Sequence, residues 1–189
     1  MFVVLIPHLQ IDGKPLSPHI VEMEIVSVRK KNFAIMPLMP TSLEQLLVIN
    51  SSDAERLYFQ MKSALQALHR QRNRLRIRIL YLEFAHMDVK PANICINSAG
   101  DFVLIDFGSA ARFGEVTQST VTYIPHGLDP KYSRAAVDWW MLAATVTERA
   151  CKCDRWGLGL KNPTKQETIE MLQSIPRVVT DFMSLVQEL

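Results

Sequence analysis

Four polar side chains stand in one short run, Phe84-Ala85-His86-Met87-Asp88-Val89-Lys90-Pro91-Ala92-Asn93, and a fifth heads Asp106-Phe107-Gly108. Carboxylates and a carboxamide are hard oxygen donors, suited to a hard cation such as magnesium. An ammonium group two residues after a carboxylate adds positive charge for an anionic ligand. None of these groups is an activated nucleophile, so the set positions and neutralises charge. Between Asn93 and Asp106 the chain reads as two short apolar strands around an Ala-Gly-Asp turn. A hairpin there would deliver both polar ends to one edge.

A lone His-x-Asp is usually a capped turn, and Asp-Phe-Gly is a common loop tripeptide. Here the residues occur together, at fixed spacing and with a hairpin between them. The pattern resembles the catalytic loop, H-x-D-x-K-P-x-N, and the magnesium loop, D-F-G, of eukaryotic protein kinases. The resemblance implies ATP and Mg2+ as cofactors and phosphoryl transfer, which asks a protein for positioning and electrostatics. It makes Asp88 the catalytic base, Lys90 the phosphate-stabilising cation, and Asn93 and Asp106 the metal ligands. Phe33-Ala34-Ile35-Met36-Pro37-Leu38-Met39-Pro40 looks like the last small-lobe strand and hinge. Met36 then takes the gatekeeper position. Pro37 lacks a backbone donor but keeps its carbonyl, and Met39 keeps its amide, so an adenine edge stays readable. Cys95 takes the place of the apolar residue beneath the base. Taken alone, Met36 and Met39 would read as flexible core filling.

Downstream, Thr120 to His126 resembles the end of an activation segment, with His126 where the family has glutamate. Asp138-Trp139-Trp140-Met141-Leu142 resembles D-x-W-x-L, so Asp138 would bond the catalytic-loop backbone while sitting at a favourable helix start. Lys90 and Thr120 point to the serine/threonine branch. Several family features are missing. The seven glycines form no G-x-G-x-x-G loop, no V-A-I-K strand occurs, and the αC glutamate would fall near His8. Met87 replaces the arginine that receives an activation-loop phosphate. These departures imply impaired activity.

The fold class that the resemblance implies for the supporting elements is α+β, kinase-like. The expected division is a small-lobe remnant over 1–36, a hinge over 37–40 and a large lobe over 41–189. Strands are expected over Ile20 to Val28 and Asn32 to Pro37, and a short capped helix from Ser42 through Leu47. Asp53 to His69 is an amphipathic helix striped by Leu57, Met61, Leu65 and Leu68. Ala135 to Ala150 is apolar on nearly every face and should be a buried helix. Gln166 to Leu172 and Val178 to Leu189 are two more, broken at Pro176. Residues 71–83 exceed what the family needs: a basic insertion, or translated unspliced sequence.

At 189 residues, 48% hydrophobic and net charge +2, the composition is that of one soluble domain. Arginine at positions 70, 72, 74, 76 and 78 reads as a solvated face, and no nucleic-acid partner is expected. Cys95, Cys151 and Cys153 fit reduced thiols rather than a disulfide framework. The apolar start, residues 1–6, stops at Pro7 and is too short for a signal peptide or membrane span. A cytoplasmic or nuclear protein with ATP and a protein substrate as partners, and no membrane, is expected. Two other readings stay open: a pseudokinase or binding scaffold, and a small-molecule phosphotransferase of aminoglycoside kinase type. Asp88, Asn93 and Asp106 together argue against the first, and Lys90-Pro91 with Asp-Phe-Gly against the second. Oligomeric state is not readable.

Overall fold

The computed structural model describes residues 10–11, 14–46, 48–75, 78–128, 134–150 and 164–187. Residues 1–6, His8, Leu47, Arg76, Cys151 and Cys153, all used above, lie outside the described residues.

Strands β1 (Gln10–Ile11) and β2 (Lys14–Pro15) form a short antiparallel pair. Strands β3 (Glu24–Val28) and β4 (Lys31–Ile35) form another, closed by Arg29 and Lys30 at φ 48° and 65°. Two successive positive-φ residues give the hairpin turn whose twist matches its strands. The strand expected from Ile20 begins only at Glu24. Upstream, Leu104 N donates to His19 O (2.8 Å) and Val21 N donates to Leu104 O (3.0 Å), forming a parallel bridge at Ile20. Those backbone groups are committed to another part of the molecule and cannot extend the β3–β4 ladder. The helix expected from Ser42 is instead strand β5 (Thr41–Ser42) followed by one 3-10 turn, Leu43–Gln45. Gln45 accepts from the Ser42 backbone N–H at 3.0 Å and tightens that turn.

Helix α1 (Ser51–His69) is capped by Asn50, whose side chain accepts from Asp53 N at 2.8 Å. Its expected stripe, Leu57, Met61, Leu65 and Leu68, is fully buried. Residues of the suspected insertion pair as an antiparallel hairpin, β6 (Gln71–Leu75) with β7 (Arg78–Leu82). Arg72 and Arg74 of the basic run stand two apart in β6, the strand period. Strand β8 (Phe84–Ala85) precedes the polar run. Strands β9 (Ile94–Ile96) and β10 (Phe102–Leu104) form the expected hairpin, with β5 on the other edge of β9. Strand β11 (Ala111–Arg112) returns to pair with β8.

Helix α2 (Ala135–Ala150) is buried along nearly its whole length, as its composition demands. It packs against α1, and against α3 (Lys165–Leu172) and α4 (Pro176–Gln187). Pro176 opens α4, where its missing N–H costs nothing, rather than interrupting a helix. Trp140 of α2 meets Phe182 of α4 edge-to-face at 4.9 Å. Asp181 accepts from Tyr58 Oη (2.9 Å) and from Lys62 Nζ (2.6 and 2.7 Å), tying α4 to α1. Burial, then the Asp181 carboxylate, pushes the Tyr58 phenol far above its usual range. Among the described residues no helix is long and apolar enough to cross a membrane.

Phe182 is fully buried at this junction, so Phe182→Ala should cost roughly 3–5 kcal/mol. Urea unfolding followed by tryptophan fluorescence checks this, and a loss under about 1 kcal/mol would contradict the packing.

Candidate active site

The polar run is built around a buried carboxylate. Asp138, in the first turn of α2, is 0% exposed. Its Oδ2 accepts from His86 N (2.7 Å) and from His69 Nε2 (2.8 Å), and its Oδ1 accepts from Met87 N (2.7 Å). Serving two successive backbone amides with one carboxylate bends the loop. Met87 adopts φ 65°, in the left-handed region that side chains avoid. The Met87 side chain is fully buried and has no cation for an activation-loop phosphate.

His86 is locked as one tautomer. Its Nδ1 accepts from Asp88 N (3.3 Å), so that nitrogen carries no proton, and Nε2 donates to Ile105 O (3.0 Å). Phe107 packs edge-to-face on the ring at 4.8 Å. Burial depresses the imidazole pKa below the ordinary histidine value, against the opposing pull of Asp138 and the Ile105 carbonyl.

Asp88 lies at the end of this bend. Thr120 Oγ1 donates to Asp88 Oδ1 at 2.5 Å, Lys90 Nζ reaches Oδ2 at 2.9 Å, and Asn93 Nδ2 donates to Oδ2 at 2.8 Å. Lys90 Nζ also donates to Thr120 Oγ1 at 3.0 Å. Burial raises the Asp88 pKa, but the bonds from Thr120, Lys90 and Asn93 outweigh it and hold the carboxyl below its usual range. The group is therefore ionised at neutral pH. Each carboxylate oxygen has two lone pairs, so Oδ1 retains an acceptor site beside the Thr120 bond.

The β9–β10 hairpin carries Asn93 and Asp106 to the same edge. Ile94 pairs with Leu104, and Ile105 N donates to Asn93 O at 2.9 Å, so both residues leave the same end of the ladder. Gln60 of α1 clamps the other end, donating to Asp101 Oδ1 (2.8 Å) and accepting from Phe102 N (2.8 Å). Asn93 directs its NH2 group to Asp88 O (2.9 Å) and Oδ2, which leaves its amide oxygen as the acceptor of that side chain. Asp106 is exposed at φ 54°, and its Oδ1 accepts from Gly108 N at 3.1 Å. A Cβ on Gly108 would sit 3.0 Å from that oxygen, so a side chain there would crowd the carboxylate.

Among the described residues no three His, Cys, Asp or Glu side chains are grouped to hold a metal by themselves. An exposed carboxylate, Asp106, and the amide oxygen of the buried Asn93 are the donor types that suit magnesium, which keeps waters and shares its coordination with substrate phosphates. The residues present fit that ion.

The residues of the expected hinge differ in exposure. Met36 and Pro37 are exposed, and Met39 is half-buried. A cavity of about 230 Å³ is lined by Pro37 and Met39 together with Pro18, Ile20, Glu22 and Val103. The two expected adenine contacts, Pro37 and Met39, thus line one cavity, which Met36, Cys95 and the polar run do not reach. Cys95 is buried and free, paired across strands with Ser42 and Val103, and burial raises its thiol pKa.

Three contributors escaped the sequence reading. His69 follows the apolar stripe four residues after Leu65, which marks it as a buried polar residue in need of a partner. Thr120 marks the serine/threonine branch in the sequence, and only the fold makes it a donor to Asp88. Gln60 carried no signal. Tyr123 also finds a partner, donating to Glu148 Oε2 at 2.8 Å, while Glu148 Oε1 accepts from Arg149 at 2.8 Å. This links the turn after Thr120 to α2.

The chain matches the family model described as "Protein kinase domain" over residues 8–188. It belongs to the protein kinase domain family. It is 28% identical over 178 residues to serine/threonine-protein kinase Sgk3 of Rattus norvegicus, a match covering 77% of this chain and 36% of that protein. It is 36% identical over 74 residues to serine/threonine-protein kinase Sgk2 of Rattus norvegicus, covering 35% of this chain and 20% of that one. A further match, 35% identical over 71 residues, is to cAMP-dependent protein kinase catalytic subunit 3 of Drosophila melanogaster, covering 35% and 12%. The chain thus spans about a third or less of these relatives. The kinase-like α+β expectation holds.

Two outcomes follow. The folded His86 pKa lies below the unfolded value, so the unfolded chain binds more protons as the solution acidifies. Stability is then complete above about pH 6.5 and falls as pH drops through that value. The His86 ring-proton NMR titration should have its midpoint below about 6.5, and one above it would contradict the buried neutral tautomer. Separately, Thr120→Val removes a donor to Asp88 and should move its carboxyl pKa upward in a carbon-13 titration. An unchanged midpoint would exclude that bond.

Proposed function

We propose that this chain is an ATP-dependent serine/threonine protein kinase domain, with its reaction centre at the edge where Asp88, Asn93 and Asp106 emerge. The carrying observation is the Asp88 carboxylate, ionised and fixed by Asn93, Lys90 and Thr120 beside the end of the β9–β10 hairpin. In this reading Asp88 accepts the proton of the attacking protein hydroxyl through Oδ1. Lys90, two residues on, moves its ammonium toward the transferring phosphoryl group. The Asn93 amide oxygen and the Asp106 carboxylate hold magnesium. Mg2+–ATP, when bound, supplies the γ-phosphoryl group and the charge that neutralises it. Thr120 bridges Asp88 and Lys90 and so couples the segment that would receive a protein substrate to the base.

We read residues 37–40 as the hinge, residues before them as small-lobe and those after as large-lobe. Adenine would meet the Pro37 carbonyl and the Met39 amide, beneath the Met36 gatekeeper and over Cys95. The exposure of Met36 and Pro37 leaves that edge accessible. An intracellular setting belongs to the same proposal. The 189 residues contain neither a glycine-rich phosphate loop nor a V-A-I-K lysine. Fewer charges then meet the α- and β-phosphates, and these residues by themselves should turn over at least about a hundredfold below an ordinary kinase.

Radiolabelled ATP tests this. Slow, Mg2+-dependent label transfer to serine or threonine of basic proteins is expected, with transfer abolished in Asp88→Asn and a thermal midpoint raised by Mg2+–ATP. Transfer unaffected by Asp88→Asn would overturn the assignment. So would label on aminoglycosides rather than proteins, or no stabilisation by Mg2+–ATP, which is the scaffold result.

A further inference from the structure

The β3–β4 hairpin has two unlike faces. Cross-strand partners share a face, so Ile25 and Ala34 lie together and pack against the core. Glu24, Val26, Val28, Lys31, Phe33 and Ile35 occupy the other side. There Val28 is 49% exposed, Phe33 51% and Ile35 54%. Among the described residues this sheet has only two strands, too few to be independently stable with an apolar face in water. Contiguous exposed apolar groups of this kind mark an interaction surface.

The register shows which partner fits. The outer face runs in rows: Glu24 beside Ile35, Val26 beside Phe33, Val28 beside Lys31. A carboxylate marks one end of the apolar stripe and an ammonium the other. Both are exposed, and neither enters an ion pair among the described residues. We propose that a second copy of this chain docks here, the two hairpins stacking face to face about a two-fold axis perpendicular to the strands. Stacked sheets lie about 10 Å apart. This axis reverses strand direction, so Val26 and Phe33 meet their own counterparts at the centre. Each Glu24 arrives at the end carrying Lys31 of the second copy. Stacking with strands running the same way would instead set Glu24 near Glu24 and Lys31 near Lys31. The end charges therefore select the self-complementary arrangement. A patch this small lies at the low end of interface sizes, which fits a dissociation constant on the order of tens of micromolar.

Sedimentation equilibrium of the chain across about 1–200 µM reads the result directly. The weight-average mass should climb from monomer toward dimer, and Phe33→Glu should hold it at monomer. Glu24→Lys and Lys31→Glu should each weaken association about tenfold by placing like charges together, and the double exchange should restore it. Both charges are exposed, so this arm stands even if Phe33→Glu fails to fold. A monomer at the highest concentration, a dimer that survives Phe33→Glu, or a double exchange no better than either single change would overturn the proposal. None of these outcomes bears on the phosphoryl-transfer reading.

Discussion

The site hangs on one buried anion. Asp138 is removed from water entirely, and an uncompensated carboxylate there would cost several kcal/mol. Three N–H donors, from His86, Met87 and His69, supply the compensation. Two of the three belong to successive residues of the polar run, so satisfying the charge also dictates the path of that backbone. The left-handed conformation of Met87, a strain on the order of 1–2 kcal/mol, persists because the same carboxylate holds its amide. Asp138 gains further from its place in the first turn of α2, where the helix dipole favours negative charge.

From that anchor the geometry propagates through short, directional contacts. His86, held by its backbone to Asp138, spends its ring on Ile105 O and Asp88 N, joining the loop to the strand that leads into Asp106. Asn93 then ties the loop to itself through Asp88, and Gln60 pins the far end of the hairpin to α1. Charge follows the same logic. Asp88 stays ionised despite burial because its neighbours are donors, whereas His86 stays neutral because burial dominates its surroundings. A permanent acceptor and a neutral positioning imidazole thus arise from side chains two residues apart.

Much of this was legible before any coordinates. The stripe of α1, the all-round apolar character of α2 and the hairpin between Asn93 and Asp106 follow from periodicity and turn chemistry. The spacing of Asp88, Lys90, Asn93 and Asp106 points to one site. What escaped were choices made by tertiary competition. Residues 20–23 had strand composition but spend their backbone on Leu104. Ser42 had a helix cap signature, yet β9 recruits it into a sheet and Gln45 closes a single turn. Arg72 and Arg74 stand at the strand period in β6, a period that the charge of the run masks. His69 and Gln60 find partners tens of residues away, which no local pattern encodes.

Paramagnetic broadening by Mn2+ in the presence of ATP tests the central claim most directly. The account predicts selective broadening of the Asn93 side-chain amide and the Asp106 backbone amide in the native chain. Asp138→Asn, which turns an amide NH2 toward the loop N–H groups, should abolish the selectivity while the signals of α1 and α4 persist. Broadening centred elsewhere, or unchanged at Asn93 and Asp106 in Asp138→Asn, would contradict a site organised by that carboxylate.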